Sequence, residues 1–149
     1  MPSTTVPDIK KALIAAGFEV YRTRGEQVQL ADRVRDNLIM DSGVSVQVGD
    51  PLTVRFVVRA QRNDFPSEAT SSLFDRARAL AGTATRRGYV EAKTVVNALS
   101  DPADPSRTLD TWYEILFEKA VGYPGEVLDE VRFAMALAKE VPSAPPPGA

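Results

Sequence analysis

Cysteine and histidine are both missing from this chain of 149 residues. Without cysteine there is no disulfide framework, no thiolate nucleophile and no thiolate metal site. Without histidine the commonest general base is gone, and with it the usual zinc ligands and the Ser–His pair. G-x-S-x-G, S-x-x-K, the P-loop and G-x-G-x-x-G are absent too. Catalysis by carboxylates alone, as in glycosidases, remains open to such a chain, but no carboxylate pair stands out. Asp101, Asp104 and Asp110 lack the alternate-residue spacing and downstream glutamate of a calcium loop, and Asp before Pro is ordinary turn chemistry. The reading is therefore a non-enzyme with no catalytic residues, no cofactor and no metal.

Net charge is also scarce. The 18 basic and 20 acidic side chains leave −2, with a pI near 5.2. Nothing in that balance attracts a phosphate backbone, and Lys10-Lys11 and Arg86-Arg87 are isolated pairs, so nucleic acid is not an expected partner. No apolar run approaches the roughly 20 residues that span a bilayer. The start, "MPSTTVPDIKK", has no charged end followed by an apolar stretch. A cytoplasmic protein without membrane contact is expected, and the lack of cysteine is compatible with a reducing compartment.

What is present is an ordinary globular composition, 44% hydrophobic and 26% charged. Residues 1–5 read as a flexible arm, 6–141 as one α+β domain and the proline-rich 142–149 as a disordered tail. "TVPDIKKALIAAG" predicts a helix capped by Thr5, with Ile9, Leu13 and Ala16 as its apolar stripe and Gly17 at its exit. "FEVYRTR" and "EQVQL", either side of Gly25, predict a hairpin. In "ADRVRDNLIM", residues 31–40, Leu30, Val34 and Leu38 recur every four residues; a short helix is favoured there over an extended segment. "VSVQV" and "LTVRFVVRAQR" alternate as strands, the second with Leu52, Val54, Phe56, Val58 and Ala60 on its core side.

"SEATSSLFDRARALAGTATRRG" predicts a longer helix, capped by Ser67, buried through Leu73, Ala77, Leu80, Ala81 and Ala84, and liable to break at Gly82. "YVEAKTVVNAL" follows as a strand with Val90, Ala92, Thr94, Val96 and Ala98 inward. "SDPADPSR" reads as a loop, and "TLDTWYEILFEKAV" as the last strand. "YPGEVLDEVRFAMALAKEV" closes the domain as a helix with Val127, Val131, Ala134, Met135 and Ala138 buried. The expected fold is a two-layer α+β sandwich: a largely antiparallel sheet of about five strands, helices on one face, in the order α-β(3-4)-α-β(2)-α.

This element order, carried by "IKKALIAAGF", the strands through "LTVRFVVRAQ", "SSLFDRARALAG", "YVEAKTVVNAL", "TWYEILFEKAV" and "VLDEVRFAMALA", resembles the bacterial type III secretion chaperone-like fold and its YbjN-like relatives. The resemblance implies a homodimeric, non-enzymatic domain that docks on another polypeptide.

The strand faces point independently to a contact surface. Arg55 and Arg59 recur every four residues on one strand, and Glu114 and Glu118 do so on another, so cross-strand ion pairs are expected; Glu91 and Lys93 decorate a third. Val57, Val95, Leu99, Trp112 and Leu116 share the outward parity. Arg55, Val57, Arg59, Val95, Trp112, Glu114, Leu116 and Glu118 thus form the candidate partner-binding set, an apolar stripe framed by charge. Internal cover for Trp112 is the bland alternative. The leading functional expectation is a chaperone-like or adaptor module, a homodimer binding a protein partner. A subunit of a larger assembly comes second, and a small-ligand sensor or carboxylate enzyme third.

Overall fold

The computed structural model describes residues 5–49, 51–61, 70–122 and 125–139. In chain order its elements are α1 (Val6–Ala15), β1 (Val20–Arg24), β2 (Gln27–Arg35), β3 (Leu38–Gln47), β4 (Leu52–Gln61), α2 (Thr70–Arg86), β5 (Val90–Asp101), β6 (Asp104–Val121) and α3 (Gly125–Lys139). The fold is α+β. Its six-stranded antiparallel sheet, ordered β1-β2-β3-β4-β6-β5, has one strand more than expected. By contacts the chain divides into two compact units. One holds the described residues up to Phe56 and those from Glu118 onward; the other holds those from Val57 to Phe117. The expected arm before Thr5 and the tail 142–149 lie outside the described residues. Among the described residues no helix is long and apolar enough to cross a membrane.

In the first unit, α1 starts where the sequence says it should. The Thr5 hydroxyl accepts the Asp8 N–H at 3.3 Å, and the Asp8 carboxylate accepts the Thr5 N–H at 3.2 Å, a reciprocal cap. The hydrogen bond from Thr5 holds the Asp8 carboxyl below its usual range. Ile9 and Leu13 are buried, whereas Ala16, the third stripe position, is exposed at the exit beside Gly17 (φ +95°).

The expected helix at residues 31–40 is not formed. β2 continues to Arg35 and β3 begins at Leu38, pairing Asp32 with Met40 and Arg33 with Ile39. Asp36 and Asn37 supply a two-residue turn, and the recurrence of Leu30 and Leu38, eight residues apart, is incidental: Leu30 is buried and Leu38 exposed. Further along, Val44 faces Phe56 and Val46 faces Val54, so buried side chains align in register across β3 and β4. α3 covers them through Val127, Val131, Ala134 and Leu137, with Phe133 edge-on to Phe56 at 6.4 Å. Met135 and Ala138, expected in the stripe, are only half-buried because the helix turns Glu130 inward instead, where Lys119 of β6 meets it at 3.1 Å.

In the second unit, α2 runs through Gly82 without breaking and ends at Arg86, before Gly88 (φ +100°). Ala77, Ala81 and Ala84 are buried, Leu80 half-buried, and Phe74 packs edge-on against Tyr113 of β6 at 5.4 Å. Ser67 and the side chain of Leu73 lie outside the described residues. The expected loop "SDPADPSR" is mostly strand: β5 reaches Asp101, Pro102-Ala103 make the turn and β6 resumes at Asp104. Asp101 accepts the Ala103 N–H at 2.9 Å, which is the local chemistry that lets so short a connection close.

Candidate protein-contact surface

Alternation along β6 puts Tyr113, Ile115 and Phe117 on the face toward helix and core, leaving Trp112, Glu114 and Leu116 on the other. On that other face of the second unit, Arg59 Nη2 of β4 lies 2.6 Å from Glu114 Oε1. The same carboxylate oxygen accepts the Trp112 indole N–H at 2.8 Å. One acid thus fixes both an arginine and the chain's single tryptophan. An antiparallel pair that sets Arg59 against Glu114 also sets Val57 against Leu116, two residues further on each strand. Trp112, Val57 and Leu116 are all half-buried in the single chain.

In the first unit, Arg55 Nε lies 2.9 Å from Glu118 Oε1, but its N–H is not aimed along that line. The pair is therefore ionic attraction without a well-formed hydrogen bond. Cross-strand ion pairing of these four residues was expected from their spacing; which arginine meets which glutamate is set by the strand register. Pairs this exposed contribute about 0–1 kcal/mol each, against ~1.5–3 kcal/mol for burying Val54, Phe56 or Ile115. They orient the face; they do not hold the fold.

Glu91 departs from expectation. It was read as outer-face decoration, yet Arg78 of α2 grips it with two nitrogens, at 2.6 and 2.9 Å, while the Thr94 hydroxyl also donates to it. Arg78 in addition sits 4.8 Å over the Phe74 ring. The Arg78 hydrogen bonds hold the Glu91 carboxyl below its usual range, and Glu91 in turn raises Arg78. This acid ties a strand to its helix. Val95 is half-buried on β5, and Leu99 is exposed. Asp110, expected outward, is buried and accepts the Thr111 N–H at 2.8 Å. Asp104 accepts both the N–H and the hydroxyl of Ser106, a local turn. Among the described residues no group of three or more acids converges as a metal site would.

Sequence reasoning missed where the largest exposed apolar side chains fall. Val90 and Val96, expected inward, are 67% and 58% exposed. Alternation gives each strand two faces but cannot say that β5 ends the sheet, and a terminal strand outruns its cover. Leu38, Ile39 and Met40 at the β2–β3 turn were likewise misplaced by the helical reading. Comparisons with protein families, curated proteins and solved structures returned no match for this chain.

Proposed function

We propose that the protein is a non-catalytic interaction module, chaperone-like or adaptor, which binds a partner polypeptide as a homodimer. The observation that carries this reading is the face around Trp112. An aromatic ring and a facing Val57–Leu116 pair stay half-exposed, framed by the Arg59–Glu114 ion pair. Tryptophan and arginine are the side chains that dominate protein contacts when a partner excludes water from them. The indole is already oriented by Glu114, so little side-chain freedom is left to lose on binding. The resemblance in element order to secretion chaperone-like domains supports the same reading.

Because Trp112 is the only tryptophan, its emission is a direct probe of this face. Titration with extended synthetic peptides of alternating apolar side chains should give a saturable blue shift. Leu116→Lys should abolish the shift while leaving the far-ultraviolet circular dichroism unchanged. Emission that stays constant across the peptide panel, or a Leu116→Lys chain that cannot fold, would refute the reading, the latter by making this face core.

A further inference from the structure

Strand β5 is 12 residues long, and among the described residues it has a neighbour, β6, on one side only. Natural edges are usually blunted by short length, charge or proline. β5 has no proline, its charges are Glu91, Lys93 and Asp101, and between them it exposes Val90, Val96 and Leu99. A free row of N–H and C=O groups beside exposed β-branched side chains is a template for another strand.

We infer that β5 of one copy pairs antiparallel with β5 of a second copy about a two-fold axis at Val95, extending the sheet across the dimer. This rests on the homodimer in the function proposed above and names the surface that builds it. The choice of a second copy follows from self-complementarity. A two-fold axis perpendicular to the sheet keeps side chains on matching faces, so the axis must pass at a residue facing its own copy. At Val95 the strand pairs from Val90 to Ser100, Ala92 meets Ala98, Thr94 meets Val96, and the charged Lys93 and Glu91 face neutral Asn97 and Leu99.

Neighbouring registers are worse. An axis at Val96 sets Glu91 directly against Asp101, and one at Thr94 brings the two Lys93 side chains diagonal to each other. At Val95 the remaining like-charge approach is Glu91 diagonal to Asp101, and Glu91 is already neutralised by Arg78.

The cysteine-free background makes the register directly readable. Under mild oxidation of the full chain, Val95→Cys should form a covalent dimer. Ala92→Cys and Ala98→Cys should each cross-link poorly alone and efficiently when mixed. In light scattering across a dilution series, the wild-type chain should dimerise. Val95→Lys and Val95→Glu should each weaken that dimer about tenfold or more, an equal mixture of the two should restore it, and neutral Val95→Thr should keep it. A wild-type chain monomeric at every concentration, or cross-linking without preference for these positions, overturns the inference. The outcomes are distinguishable: a monomer whose Trp112 still answers peptide loses the homodimer and its β5 pairing but keeps the binding face, and a dimer with silent Trp112 loses only the binding face.

Discussion

At one end of the sheet order, β1 is five residues long and carries Arg22 and Arg24; at the other, β5 is 12 residues long and carries Glu91, Lys93 and Asp101. β1 is further disturbed by a register shift between Val20 and Arg22, where the ladder with β2 slips. Arg22 is drawn to Gln29 at 2.5 Å, and α1 packs against both β1 and β2. Charge, brevity, a bulge and a flanking helix are the means by which proteins stop an edge from recruiting strands. β5 also has charges and a flanking helix, α2, whose Arg78 grips Glu91, but it is more than twice as long as β1 and leaves Val90, Val96 and Leu99 exposed. An edge this long and apolar teaches more than a buried core does, because core packing explains a fold, whereas such an edge is where the proposed second copy would add.

The comparison breaks first if the buried interior strand β4 and the edge strand β5 respond alike to loss of apolar bulk. Phe56→Ala removes a ring with no exposure that also carries the edge contact to Phe133. It should cost about 3–5 kcal/mol, seen as a large drop in the chemical-denaturation midpoint. Val96→Ala on β5 should move the same midpoint by less than about 0.5 kcal/mol for the isolated chain, as an exposed position does. A comparable loss at Val96 would mean that β5 is packed within the monomer, and the contrast between core and edge would disappear.

Much of this was legible in the sequence, and where it failed the cause is physical. Alternation in "LTVRFVVRAQR" correctly gave Leu52, Val54, Phe56, Val58 and Ala60 as core, and the four-residue spacing of Arg55, Arg59, Glu114 and Glu118 pointed to cross-strand ion pairing though not to which residues pair. Those signals are local and periodic, so one chain suffices to read them. The β2–β3 turn was missed because Leu30, Val34 and Leu38 imitate a helical repeat, and that repeat was favoured over an extended segment. Gly82 was overrated as a helix breaker: its propensity penalty of ~1 kcal/mol is small beside the packing of Ala77, Ala81 and Ala84. The exposure of Val90 and Val96 depends on strand order, which is set by long-range pairing and leaves no mark within β5 itself.

A smaller effect sharpens the account of β1. Thr5→Ala removes the hydroxyl of the reciprocal cap and should cost about 1 kcal/mol. If α1 protects the β1 edge, amide exchange in β1 should speed up with that substitution while exchange in β5 stays as it was. Equal acceleration in both strands would show a global loss of stability instead.

The smallest expected effect lies at the start of β5, where Arg78 holds Glu91. The folded pKa of Glu91 is lowered, chiefly by the Arg78 hydrogen bonds and then by Thr94. Its contribution is therefore fully present above the unfolded value of about 4.3 and is lost as pH falls through the lowered folded value. Both side chains are more than a third solvent-exposed or close to it, so screening limits the pair to about 0–1 kcal/mol. The stability difference between wild type and Glu91→Gln should accordingly be small at neutral pH and vanish in acid. A difference that persists below the lowered folded value would mean that Glu91 acts through packing, and β5 would then be anchored by shape at that end rather than by charge.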